Sequence, residues 1–202
     1  MAPRWIGLSA LAAMLAMAAA THAGAQESAP TNAELHALMK PGQHQVLVEF
    51  YDRERKRVKL ETFSHATPFV SGAGVSFGIG QGRSIALYGI APCAKATPIN
   101  DGGDAMLCNE AAGRVLTRYL RNAPVTLCRA SSDAIDRPVI PATCYAYVYR
   151  PPGLIGVSAL EDELVGVGYA VLQLDAAGKP LRPDLVKAAE TARAMKRGAF
   201  EE

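Results

Sequence analysis

The sequence predicts a mainly β domain with about three helices, on three observations. Residues 44–51 and 57–63 alternate apolar and polar side chains, the signature of half-buried strands; several short apolar runs after residue 69 are separated by glycine-rich turns; and residues 104–121 and 183–197 carry apolar residues at helical spacing. At 202 residues and 50% hydrophobic composition, the chain can bury one good core, so one domain with appendages is expected.

The first element is a leader. Arg4 supplies a positive start, Trp5 to Ala20 an apolar stretch, and Ala23-Gly24-Ala25 a small-x-small cleavage site before Gln26, which together read as a secretory signal peptide over residues 1–25. A membrane anchor would need about 20 apolar residues, and this run is shorter. No cysteine follows the cleavage site, as a lipoprotein would require, and no transmembrane segment is expected in the mature chain. The expected location is therefore periplasmic or secreted. Arg4 is the leader's one charged residue, so the mature chain carries one fewer than the 21 Lys and Arg of the whole against 19 Asp and Glu, a balance with no general pull toward nucleic acid.

Export gives the four cysteines a meaning, because an oxidising compartment lets them pair, in any of three connectivities. The pairing chosen is Cys93 with Cys108 and Cys128 with Cys144. The second pair lies in two apolar runs that read as adjacent strands, and the first brackets a loop. Each closes about 15 residues, worth roughly 3 kcal/mol in the chain-entropy model. A four-cysteine zinc site would need C-x-x-C pairs, and the sequence has none.

Residues 26–43 form an N-terminal arm with a short helix from Asn32 to Met39, capped by Thr31 or Asn32 and stopped by Pro41-Gly42. Residues 44–63 form a hairpin added before the main domain. Its turn carries Arg53, Arg55, Lys56 and Arg57, candidates for contacting phosphate, although Asp52, Glu54 and Glu61 interleave with them as on a solvated face. Residues 64–202 form the main domain: a glycine-rich segment from Phe69 to Gly82, an apolar strand in Ser84 to Pro92, a helix from Asp104 to Arg121 with Asp104 as its cap, and strands at 125–128 and 143–149. Helices at 159–167 and 183–197 follow.

The run Ser84-Ile-Ala-Leu-Tyr-Gly-Ile-Ala-Pro92 resembles the third strand of the staphylococcal nuclease (thermonuclease) family, usually Arg-Leu-Tyr-Gly-Ile-Asp-Ala-Pro-Glu. Cys108, Ala111, Ala112 and Leu116 resemble that family's first helix, Leu164-Val165-x-x-Gly168-x-Ala170 a later pattern, and Arg197-Gly198-Ala199-Phe200 its ending Arg-Gly-Leu-Trp. The resemblance spans about Ser71 to Phe200 and implies a five-stranded OB-fold barrel with Greek-key connections. It also implies calcium-dependent phosphodiester cleavage, in which carboxylates hold the cation and two arginines grip the phosphoryl oxygens.

Here the residues for that chemistry are replaced. The calcium-binding aspartate of the first turn falls at Ala73, the strand arginine at Ala86, the strand aspartate at Ala91, and the glutamate at Cys93 or Ala94. The second arginine belongs between Val139 and Thr143, where there is none, Arg137 being nearest. Losing one preorganised donor costs about 10² to 10³ in rate. The resemblance thus implies a retained fold without the activity, serving as a binding or structural module with no cofactor. Two rivals stand beside it: an active calcium-dependent phosphodiesterase using relocated Arg83, Arg137, Asp101 and Asp104, and an envelope-protein interaction module recognising its partner through the hairpin. The partners considered are nucleic acid and an envelope protein.

Three further patterns are weaker. Gly74-Val-Ser-Phe-Gly78 matches the G-x-S-x-G elbow of serine hydrolases, but no helix follows and no histidine lies beyond His65. Histidines 36, 44 and 65 lack ligand spacing and read as surface residues. Tyr145, Tyr147 and Tyr149 share one strand face, which could stack bases but more often packs against the core.

Overall fold

The computed structural model describes residues 28–72, 74–93, 99–101, 104–150 and 154–200; the leader at 1–25 and Ala73 lie outside them. The described residues form a mixed α/β structure in which a curled β-sheet half-barrel carries four α-helices. The mainly β expectation is met, and the helices are those expected: the short one of the arm and three in the main domain.

That helix, α1 (Asn32–Ala37), starts on a capping box: Glu34 N–H donates to the Thr31 hydroxyl while the Glu34 carboxylate accepts from Thr31 N–H. The arm is firmly docked, with Leu35 fully buried. β1 (His44–Tyr51) and β2 (Arg57–His65) form the expected hairpin. It is not an addition outside the sheet, however, because β1 also runs parallel to β8 (Val125–Ser131) from Gln45 to Tyr51. β3 (Ser76–Gly80), β4 (Arg83–Leu87) and β9 (Val139–Arg150) complete the order β2-β1-β8-β9-β4-β3, and β10 (Leu154–Ala159) pairs with β9 to make seven strands.

β9 begins earlier than expected, at Val139, because its first residues pair with β4 in parallel. Pro141 is tolerated there, since the β8 ladder starts only at Ala142. With β8 along one edge, the other edge is shared: β4 pairs with residues 139–142 and β10 with 145–150. Short β5 (Ile90–Pro92) pairs with β11 (Ala170–Leu172). β6 (Ile99–Asp101) and β7 (Asp104–Met106) form a small hairpin where the sequence suggested the start of a helix. Consequently α2 runs Cys108–Asn122 with Leu107 as its cap, and Asp104, set opposite Asp101 in the hairpin, does not cap it. α3 (Leu160–Gly166) and α4 (Val186–Ala194) follow close to their expected places, α4 entered through a tight turn at Pro183–Leu185.

The sheet's concave face buries Val46, Val48, Phe50, Phe77, Ile85 and Ile140 against α2 and α3. Both disulfides take the chosen pairing, Cys93–Cys108 and Cys128–Cys144, the latter directly across the β8–β9 ladder. On the convex face, Leu35 packs with Leu47, Val125, Leu127, Tyr145 and Tyr147 in a second, smaller cluster. Arg83 of the inner strand β4 reaches back to the edge strand β2: its Nη1 donates to Glu61 of β2 at 2.6 Å, its Nη2 to the Ile135 carbonyl at 2.8 Å, and its guanidinium lies over the Phe63 ring.

Candidate functional site

On β4, Ile85 and Leu87 point into the core, so Ala86 belongs to the opposite, convex face. Its register partners are Ser76 on β3 and Pro141 on β9. Two positions past Pro141 on the same face comes Thr143, then Tyr145. Ala91 sits in β5 opposite Val171, and Cys93 is committed to its disulfide. At the described positions where the resemblance places charge, the side chains carry none.

The other sequence candidates are dispersed. Arg57 pairs with Glu49 at 2.6 Å, while Arg53, Arg55 and Lys56 lie on an exposed turn whose backbone is held by the Asp52 carboxylate. Arg83 is engaged by Glu61 and the Ile135 carbonyl, and Arg137 Nε donates to the Asp133 carbonyl. Asp101 and Asp104 belong to the β6–β7 hairpin, whose first strand packs on α2 and the Gly198–Phe200 turn. Of the histidines, His44 Nδ1 is within hydrogen-bonding distance of the Ala123 carbonyl, and His36 and His65 meet Tyr147 and Phe69 edge to face. Tyr145 and Tyr147 are buried against the arm, whereas Tyr149 is exposed. Among the described residues no three of His, Cys, Asp and Glu converge to hold a metal; the residues present do not fit the calcium site that the resemblance implies.

What the structure gathers instead is a group that the sequence gave no reason to join. Arg182, 8% exposed, reaches over the β4–β5 connection and donates from Nη1 to the Thr143 hydroxyl at 2.9 Å. Its Nε and Nη2 grip both carboxylate oxygens of Asp184, at 2.9 and 2.7 Å. Room for this arm comes from Gly89, which has φ +75° and whose hydrogen faces the Arg182 side chain; a Cβ there would collide with it. Burial opposes the charge on Arg182, but its hydrogen bonds to Asp184 and the nearby Glu161 and Asp184 outweigh that and raise its pKa.

Beneath lies Glu161, fully buried at the start of α3. Its Oε1 accepts from Cys144 N–H at 3.0 Å, and its Oε2 is buried without a partner. Burial pushes its pKa up to about 8, against the pull of its own backbone N–H, Arg182 and the Cys144 N–H. The neighbouring Asp162 is also raised, by burial first and then by Glu163 and Asp184. Tyr145, Asp162, Arg182 and Asp184 line a cavity of about 360 Å³, walled on its apolar side by Ala159 and Leu185.

The only sequence signals for this group were the alternating tyrosines and the acidic start of α3, and acids there are ordinary complements to a helix dipole. No protein-family model and no curated protein matches the chain. No helix among the described residues is long and apolar enough to cross a membrane, and the two disulfides are compatible with an extracellular or periplasmic location.

Proposed function

We propose that this is an exported OB barrel of the thermonuclease type whose phosphodiester-cleaving pocket has been dismantled, and that it acts as a binding or structural module. The barrel reading is supported by the neighbours β3-β4-β9-β8, by α2 lying between β4 and β8 in the chain, and by two helices after β9. One observation carries the functional reading: Ala86 faces Pro141 across the β4–β9 ladder, where paired guanidinium groups would be needed to grip a phosphate. The test is digestion of DNA by the oxidised protein with and without calcium. No calcium-dependent cleavage is expected, and efficient cleavage would overturn the reading.

A second reading, hydrolysis by relocated groups, is favoured by Arg182, whose guanidinium reaches Thr143 at the end of the stretch where an arginine is implied. Its charge is already matched by Asp184, which favours binding over cleavage. If the second reading holds, cleavage is present and Arg182→Ala abolishes it. The hairpin reading draws on the half-exposed Val58 and Leu60 of β2. Because β1 lies inside the sheet, that reading is tested by Val58→Lys and Leu60→Lys, which should weaken capture of an envelope partner, and not by deleting the hairpin.

A further inference from the structure

Along the outward face of α2 runs a groove of about 490 Å³, separate from the Arg182 group. Arg114, Arg118 and Arg121 line it; separated by four and three residues, they lie one above another over about 10 Å of helix. Like charges at these spacings destabilise a helix, and the helix dipole favours only Arg121, in the last turn. Arg118 and Arg121 are exposed and have no ion-pair partner among the described residues, whereas Arg114 is already engaged. Glu110, one turn before Arg114, is the one carboxylate among the described lining residues. The facing wall is fixed: the Thr117 hydroxyl accepts from Ser71 N–H at 3.0 Å and donates to the Ser71 carbonyl at 3.3 Å, which holds Gly72 beside the groove. Between these walls the described residues offer no aromatic ring on which a base could stack and no aliphatic surface for a lipid chain.

We propose that this groove binds a linear oligophosphate. Arg118 and Arg121 each grip the oxygens of a phosphoryl group through paired N–H donors, and Arg114 adds its positive charge from the preceding turn. A chain of phosphates carries closely spaced negative charge and has neither base nor acyl chain to cover, which suits a groove of guanidinium groups without rings or aliphatic walls. None of these residues enters the reading of the dismantled pocket, so the inference goes beyond that reading and stands apart from it.

The test is calorimetric titration of the oxidised protein in low-salt, metal-free buffer with tripolyphosphate, with citrate, and with an oligothymidylate of about eight nucleotides, a length that single-strand sites commonly span. Tripolyphosphate should bind saturably with a Kd on the order of 0.1 mM, more tightly than either of the others. Raising NaCl from about 20 to about 200 mM should weaken it about tenfold, because exposed charges are screened. Arg118→Ala with Arg121→Ala should weaken it about tenfold or more. Alanine is the better helix former, so this variant keeps its fold. Lys179→Ala with Lys187→Ala removes the same charge elsewhere and should change the affinity less than about twofold. No saturable heat with tripolyphosphate, equal or tighter binding of citrate, or an equal loss in both double variants would each overturn the proposal. Tighter binding of the oligothymidylate would overturn it too, by making the groove a nucleic-acid contact.

Discussion

The carboxylate of Glu161 accepts the backbone N–H of Cys144 at the one point where the shared edge of β9 has passed β4 and not yet met β10. A side chain from α3 thus fills a vacancy in the ladder, and an amide that would otherwise be buried without a partner is satisfied. The arrangement has a titration consequence. Glu161 keeps its proton in the folded state up to about pH 8, while the unfolded chain loses it near 4.5. Between those values unfolding releases a proton, so stability falls as pH rises, at up to about 1.4 kcal/mol per pH unit, and levels off above the folded pKa. Glu161→Gln can keep the acceptor for Cys144 without the ionisation. Urea denaturation across pH 5 to 8 should show a flatter profile for it than for the wild type; parallel profiles would refute the assignment.

Arg182→Ala should be costly for a residue outside any strand or helix. It takes from Asp184 its bidentate partner, strips Thr143 of a donor, and empties the space over Gly89. Losing charged hydrogen bonds of this kind costs about 1.5 to 3 kcal/mol, readable as a fall in the denaturation midpoint with an unchanged slope.

Leu35→Ala tests whether the arm belongs to the fold. Leu35 is completely buried among Leu47, Val125, Leu127 and the two tyrosines, so its truncation should cost about 2 to 5 kcal/mol. It should also speed hydrogen exchange in α1. A loss below about 0.5 kcal/mol, the range of ordinary surface substitutions, would mean that the arm contributes little to stability.

Removing Cys128 and Cys144 together by alanine should lower stability by about 3 kcal/mol, because the bridge restrains a loop of sequence separation 16 in the unfolded chain. The Cys93–Cys108 pair, at separation 15, should behave alike. Chemical denaturation of each double variant, compared with the oxidised parent, gives both values.

What could be read in advance was what short-range periodicity encodes. The β1–β2 hairpin announces itself in the alternation of Val46, Val48 and Phe50 with polar neighbours, and α2 in Ala111, Val115, Leu116 and Leu120. Partners distant in the chain leave no such trace: nothing local in His44–Tyr51 says that it will run parallel to Val125–Ser131, and this misplaced the hairpin as an addition. Asp104 misled because an acid before an apolar run is also how a helix begins, while here it belongs to a hairpin. The Arg182 group was invisible for a third reason. Its members come from three separated segments, and the glycine that admits the arginine stands over 90 positions away, inside a motif that suggested other chemistry.

The two bridges enclose consecutive, non-overlapping stretches, 93 to 108 and 128 to 144. A single proteolytic nick inside either stretch would therefore release no fragment until a reductant was added. For a protein sharing its surroundings with peptidases, that means surviving as one covalent body after a cut that would sever an unbridged chain in two.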